Sequence, residues 1–421
     1  MSDCQALAAR KFRAAFLLIA LSWLLVPAEA RTEIRLLGVA TIPADASDQS
    51  GLPETLVGGV PQNRLAGFSG IEYSGHANRY FVLPDRGPLD GAVPFPCRLQ
   101  EFEIVIELNS PTPVRATLVG TNQLKTERGE QLVGSAAAFD SRDPTRSLRF
   151  DPEAVRRFGE NRLIISDEYG PSLSVFDPAR SRTSQLPVPE KFCVKHLAAT
   201  PSDELAGNST GRQPNAGFEG IAINPSGETL YAMVQRPLIQ DSQSGVGDKR
   251  IGVNCRVLEL NLKTSATREL VYRLDNSKTG VSELLAVGPR QLLVIERDSE
   301  LGDAARSKKI YKVNLSDTTD CSQIASLSAD ELPNDVRPIQ KQLFLDFLEP
   351  RWGLAGPNCP EKFEGLAFGP TLPDGRRLLI VTVDNDFKPN APSLILAFAV
   401  DPDDLPEFGW DRRASSAGGR K

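Results

Sequence analysis

What this chain lacks narrows its chemistry first. None of its six cysteines forms a Cys-x-x-Cys pair, so a zinc site is not expected. There is no Gly-x-Ser-x-Gly turn, and only two histidines, His76 and His196, offer an imidazole base. Both absences weigh against a serine hydrolase. Helical periodicity is scarce, while Gly (33) and Pro (32) are plentiful. The one long apolar run, residues 14–26, has 13 residues. A bilayer-spanning helix needs about 20, so no stable membrane span is expected.

That run belongs to a targeting pattern. Arg10, Lys11 and Arg13 precede it, and Ala28-Glu29-Ala30 follows as a small-x-small cleavage site. Residues 1–30 are therefore expected to be a signal peptide cut after Ala30, with an uncleaved anchor ranked second. The mature chain would be periplasmic or secreted. It would carry 45 basic and 52 acidic side chains, a net charge of −7. An acidic balance argues against nucleic acid as a partner and is compatible with bound cations. Cys4 leaves with the leader, and the remaining Cys97, Cys193, Cys255, Cys321 and Cys359 face an oxidising compartment.

The chain repeats itself. Five segments share a short strand with Gly, Phe or Glu at its start, a loop, and a longer apolar strand ending in charge. They are 67–73 with 80–87, 151–155 with 162–170, 217–223 with 230–237, 280–286 with 292–298, and 362–368 with 378–386. The aligned positions 69, 153, 219, 283 and 364 lie 84, 66, 64 and 81 apart. Further strand-like runs follow at 102–108 and 114–119, 173–176 and 184–188, 256–260 and 267–272, and 309–313 and 342–347. The fifth repeat offers only 393–400, and the N-terminal run 33–42 can supply its missing outer strand. Four strands per repeat with the N-terminus closing the last sheet describe an all-β fold, a five-bladed β-propeller over residues 31–402. Six blades is the alternative, since the long first and fourth repeats have room for a degenerate one. Residues 403–421 are expected to be a disordered tail.

In a propeller, strand a starts and strand b ends open on the same face. Strand-a starts offer Glu153, Glu219, Glu283 and Glu364; strand-b ends offer Asp85-Arg86, Asp167-Glu168, Arg236, Glu296-Arg297 and Asp384-Asn385-Asp386. Most long insertions share that face, at 44–66, 123–150, 191–216, 349–361, 88–100, 239–254 and 299–308, with 316–340 opposite. His196 lies in one of them; His76 falls in an a-to-b loop on the other face. Four cysteines share the face too, which predicts Cys193–Cys255 and Cys97–Cys359 disulfides and a free Cys321.

Clustered carboxylates with Asn and carbonyl oxygens are hard ligands for Ca²⁺ or Mg²⁺. Neighbouring arginines would grip a phosphate or carboxylate. Asp85, Arg86, Glu168, Glu219, Arg236, Glu296 and Arg297 are read as catalytic, and Glu153, Asp167, Glu364, Asp384 and Asp386 as metal ligands, with Ca²⁺ as the cofactor. The chemistry would be metal-assisted phosphoester hydrolysis of a small substrate by a monomer. Two readings stand beside it: a non-catalytic binding propeller of the cell envelope, and a structural ring of Glu–Arg pairs that holds the blades together. Where the repeat departs from itself, at 85–88, 167–170 and 384–387, function is the better explanation.

The same residues resemble the esterase-like activity of phytase family, also called phytase-like domain proteins, over roughly residues 36–400. The carrying motifs are Asp85-Arg86-Gly87-Pro88, Asp151-Pro-Glu153-Ala154 with Ser166–Pro171, Gly217-Phe-Glu219-Gly, Glu296-Arg297-Asp298, and Phe363-Glu364-Gly with Asp384-Asn385-Asp386-Phe387. The resemblance implies a propeller, export, and phytase or esterase activity. Ala154 stands where it would place Gly, and Gln235-Arg236 where it would place an acid.

Overall fold

The computed structural model describes residues 34–143, 146–246 and 250–408. The expected signal peptide and the end of the expected tail lie outside the described residues. Each repeat folds into one four-stranded antiparallel sheet, with the strands in sequence order from the centre outward. Blade one is β2 (Phe68–Tyr73), β3 (Arg79–Pro84), β4 (Arg98–Ile106) and β5 (Val114–Gln123). Blade two is β6 (Pro152–Phe158), β7 (Arg162–Asp167), β8 (Ser172–Phe176) and β9 (Arg182–Gln185). Blade three is β10 (Phe218–Ile223), β11 (Thr229–Val234), β14 (Asn254–Asn261) and β15 (Thr267–Arg273), with the hairpin β12 (Gln243–Ser244) and β13 (Arg250–Ile251) inserted between its second and third strands. Blade four is β16 (Thr279–Ala286), β17 (Gln291–Asp298), β18 (Lys308–Asn314) and β19 (Gln340–Asp346). Blade five is β20 (Lys362–Phe368), β21 (Arg377–Asp384), β22 (Ser393–Val400) and, as its outermost strand, β1 (Arg35–Ile42).

The fold is thus a five-bladed β-propeller closed by its N-terminal strand, β1 running antiparallel to β22. The innermost strands form the ring, with β2 beside β6, β6 beside β10, β10 beside β16, β16 beside β20, and β20 beside β2. The length of the fourth repeat comes from an insertion that hides no blade. The β18–β19 connection lies along β15, where Cys321 donates its N–H to Glu269 and Ile339 donates to Val271. It thereby covers an exposed sheet edge. Apolar faces of adjacent sheets interdigitate, so the core is a set of clusters between blades. Leu405 and Phe408, from the segment expected to be a tail, are buried in the cluster between blades four and five.

A β-bulge interrupts the innermost strand of every blade at the same place. The register slips between Phe68 and Gly70, Pro152 and Val155, Phe218 and Gly220, Val281 and Glu283, and Phe363 and Leu366. A bulge re-aims one side chain, here Ser69, Glu153, Glu219, Ser282 and Glu364. The fourth blade therefore aligns one residue earlier than the sequence spacing implies, on Ser282. Glu283 takes the position held elsewhere by Gly or Ala154. Glycine stands there because the inner strands nearly touch. A Cβ on Gly220 would lie 2.5 Å from the Leu284 nitrogen, and one on Gly365 would lie 2.8 Å from the Ile71 nitrogen.

The two expected disulfides are absent: all five described cysteines are free. Cys97 packs between blades one and two and donates to the Phe150 carbonyl at 3.3 Å, whereas Cys359 packs between blades four and five. Cys255 is buried in the core around blade three, while Cys193 stays half-buried in a loop. Sharing a face did not bring their sulfurs together.

Candidate functional site

One cavity of about 780 Å³ opens where the bulged residues meet the ends of the second strands. Ser69, Glu153, Glu219, Ser282 and Glu364 reach it from the inner strands; Asp85, Arg86, Glu168, Arg236 and Arg297 reach it from the strand ends. Its floor is closed by Arg156, whose guanidinium crosses the axis. Arg156 donates to the carbonyl of Ile71 in blade one at 3.1 Å and pairs with Glu283 of blade four at 2.9 Å. Glu283 therefore lies beneath the site and serves the scaffold.

Arg86 is fastened on three sides. It pairs with Asp151, with Glu168 at 3.1 Å and with Asp90, and its backbone N–H donates to Asp151 at 3.0 Å. The Glu168 turn is braced from behind. Arg212 donates to the Tyr169 carbonyl at 2.7 Å and Arg149 stacks on the Tyr169 ring at 4.6 Å. Glu204 on the short helix α1 (Pro201–Gly207) pairs with both arginines. Across the mouth, Arg297 pairs with Glu364, and Lys362 bridges Asp384 at 3.1 Å and Asp386 at 2.9 Å.

Three charged groups in the cavity have no such role. The carboxylates of Glu153 and Glu219 and the guanidinium of Arg236 make no hydrogen bond or ion pair with the described residues, although Glu153 and Glu219 are buried. Burial, then the nearby carboxylates Glu219, Asp151 and Glu168, push Glu153 well above the usual range. Burial, then Glu168 and Glu364, do the same to Glu219, against the pull of Arg297. Burial lowers Arg236.

The residues read as site groups are not all gathered. Glu296 points between blades three and four, where Tyr272, Thr279, Lys341 and the Asp275 N–H all donate to it, and it does not line the cavity. Asp167 is consumed by its own turn, accepting from the N–H groups of Asp151, Tyr169 and Gly170 and from the Ser172 hydroxyl. The five residues read as metal ligands do not form one site. Asp384 and Asp386 group with Asp85, Glu153 groups with Asp151 and Glu168, and Glu364 belongs to Arg297. His76 lies exposed in the β2–β3 turn and His196 lies exposed outside the cavity lining. Sequence reasoning passed over Asp151 and Lys362 as site residues, although both sit in the repeat motifs directly before an inner strand's bulge.

Glu168 gives the site a pH dependence. Burial, then Asp151, raise its carboxyl from the ordinary 4.5 to about 8, with Arg86 pulling the other way. The folded chain then keeps a proton that the unfolded chain releases above pH 4.5. That contribution is complete below the lower value and is lost as the pH rises towards 8. In chelator, the melting temperature should fall between pH 5 and pH 8, and Glu168→Gln should flatten the slope. A melting temperature that climbs across this window with wild-type protein, or a slope untouched by the substitution, contradicts the assignment.

A family model described as "Phytase-like: Esterase-like activity of phytase" matches residues 63–387. The chain belongs to this family. A curated relative from Arthroderma benhamiae, described as an uncharacterized secreted protein, is 25% identical over 392 residues, covering 74% of this chain and 75% of the relative. Among solved structures, the allergen Mala s 1 of Malassezia sympodialis aligns over 82% of this chain and 81% of its own at 10% identity and a TM-score of 0.37. A luciferin-regenerating enzyme aligns over 80% and 94% at 9% identity and a TM-score of 0.31. At such scores neither likeness bears on the function of this phytase-like chain. No helix among its described residues is long and apolar enough to cross a membrane.

Proposed function

We propose that this phytase-like propeller is an exported hydrolase of small phosphoesters, assisted by a divalent cation, with Ca²⁺ the best match. One observation carries the reading: Glu153, Glu219 and Arg236 line one cavity with no hydrogen bond or ion pair to the described residues. Two such carboxylates and an arginine suit a ligand that brings an anionic group and a cation together. Family membership fits a hydrolase, and the leader-like N-terminus and the secreted relative fit export.

Asp151, Glu153 and Glu168 would hold the cation. Their oxygens lie within 4.8 Å of one another, and Glu168 Oε1 is buried without a hydrogen bond. An oxygen-only donor set suits Ca²⁺. The group Asp85, Asp384 and Asp386 fits less well: Asp386 is exposed and shared by Lys362 and Lys388, and all three members are already partnered, whereas Arg86 leaves Glu153 of the buried group free to take a cation. Bound there, Ca²⁺ would supply positive charge to polarise a phosphoryl oxygen and acidify water. Arg236 would grip the phosphoryl oxygens, and Arg297 adds a second positive charge beside them. Glu219 would accept the proton of the attacking water. Arg86 orients Asp151 and Glu168.

Hydrolysis of p-nitrophenyl phosphate should appear with Ca²⁺ and be abolished by chelator. Stoichiometric Ca²⁺ binding without turnover would leave a binding propeller instead. Turnover of p-nitrophenyl acetate that survives chelation would make the protein a metal-independent esterase.

A further inference from the structure

Phytate carries six phosphates; the cavity offers little to hold them. Eight carboxylates line it against six cationic side chains. Five of those cations are already bonded: Arg86 to three carboxylates, Arg297 to Glu364, Lys362 and Lys388 to acids at the rim, and Arg64 to the Ala44 carbonyl. Only Arg236 among the six has no hydrogen bond or ion pair with the described residues. Counting Arg64, whose carbonyl partner does not neutralise it, two of the six have no carboxylate partner among the described residues, which is provision for one phosphoryl group and not for six.

The rim of the cavity is strained, and one large apolar side chain stands out on it. Nine described residues other than glycine have positive φ, and five of them line this cavity: Leu89, Asp90, Asn215, Asp386 and Phe387. Asn and Asp tolerate that region; Leu and Phe do not. Yet Leu89 is held at φ 58° and Phe387 at φ 52°. Leu89 is 53% exposed, lying across Gly58, where a Cβ would come within 2.7 Å of its methyl group. The turn that holds Leu89 also sets Asp90 against Arg86, and Phe387 is buried on Phe95, but the Leu89 side chain itself stays out at the rim, and such outliers cluster where ligands bind. Leu89 follows the second strand of blade one and Phe387 that of blade five. Blade three, which carries Arg236, neighbours neither of these blades in the ring.

Resting on the phosphoester reading above, we infer that the substrate is a monoester with one anionic head and an apolar leaving group. Arg236 takes the phosphate, and Leu89 covers the apolar part. Polyphosphates are then poor substrates.

Three substrates test this at fixed Ca²⁺: 1-naphthyl phosphate, glycerol 2-phosphate and phytate. The naphthyl ester should have the highest kcat/KM and phytate the lowest. Leu89→Asn relieves the backbone strain while removing the apolar contact, so it should fold at least as well. It should cut the preference for the naphthyl over the glycerol ester about tenfold, a 1.4 kcal/mol change. Preference for phytate, or an equal loss on both monoesters, overturns the inference. Should no phosphoester be turned over, the hydrolase reading fails and calorimetry decides this one separately. Binding of 1-naphthyl phosphate that weakens in both Leu89→Asn and Arg236→Gln supports it, and no binding by the wild type overturns it.

Discussion

Glu219→Gln is expected to lower kcat by about 100-fold or more, the low end of what a positioned proton acceptor contributes, without lowering the melting temperature. The two halves of that result have one cause. Glu219 is 4% exposed, its carboxylate has no hydrogen bond or ion pair with the described residues, and it faces Glu168 and Glu364. An amide of the same shape removes a repulsion and orphans no cation, so stability stays level or rises. Glu364→Gln is the contrast. It deprives the buried Arg297 of its carboxylate and should lower the melting temperature, because one side of a buried pair is left behind. Both variants are read in one preparation, by kcat on p-nitrophenyl phosphate and by thermal melting. A Glu219→Gln protein that melts several degrees low would make this carboxylate a blade fastener. One that keeps full activity would remove it from the reaction.

This contrast shows why the site was only half legible in the sequence. Blade count, strand order and closure by β1 follow from a repeat of apolar runs and charged ends, which the chain writes openly. The face that holds the cavity follows from the same pattern. What the pattern does not carry is the bulge. An extra residue in each inner strand decides which side chain turns into the cavity. In blade four it selects Ser282 and drops Glu283 to the floor, although Glu283 occupies the better-looking place in the alignment. Partnership is equally silent in sequence. Glu296 and Glu168 both end second strands, yet Tyr272, Thr279 and Lys341 claim the first while Arg86 draws the second into the mouth. Asp151 and Lys362 precede the repeat's conspicuous glutamates by two residues and act beside them, a spacing that reads as strand entry until the loops are seen. Cysteine pairing failed for a plainer reason. A shared face spans five blades, and a disulfide needs Cα atoms within about 7 Å.

Blade four's departure from the repeat yields the largest stability effect. Glu283→Gly would restore the repeat's own residue, and by sequence logic alone it should be harmless. It is expected instead to cost about 3–5 kcal/mol, the range for breaking a buried ion pair by removing one partner. Arg156 is 4% exposed, and Glu283 is fully buried. Without Glu283 the guanidinium keeps the carbonyls of Ile71, Val155 and Leu284 and a single long contact to Glu72 at 3.9 Å, so its buried charge loses its close counter-ion. For a domain of this size that cost corresponds to a fall of roughly 4–6 °C in melting temperature. Arg156→Ala alone should cost a similar amount, since Glu283 is then stranded. Replacing both at once, with Arg156→Met and Glu283→Leu, removes both charges and fills the axis with apolar atoms, which is often neutral or stabilising. The double variant should therefore melt near the wild type and well above either single one. Because neither residue lines the cavity, kcat on p-nitrophenyl phosphate should survive in whatever fraction remains folded. Additive losses in the double variant would mean that the two residues act separately. In that case the floor of the cavity is held by the backbone contacts of the glycines and not by the pair that crosses the axis.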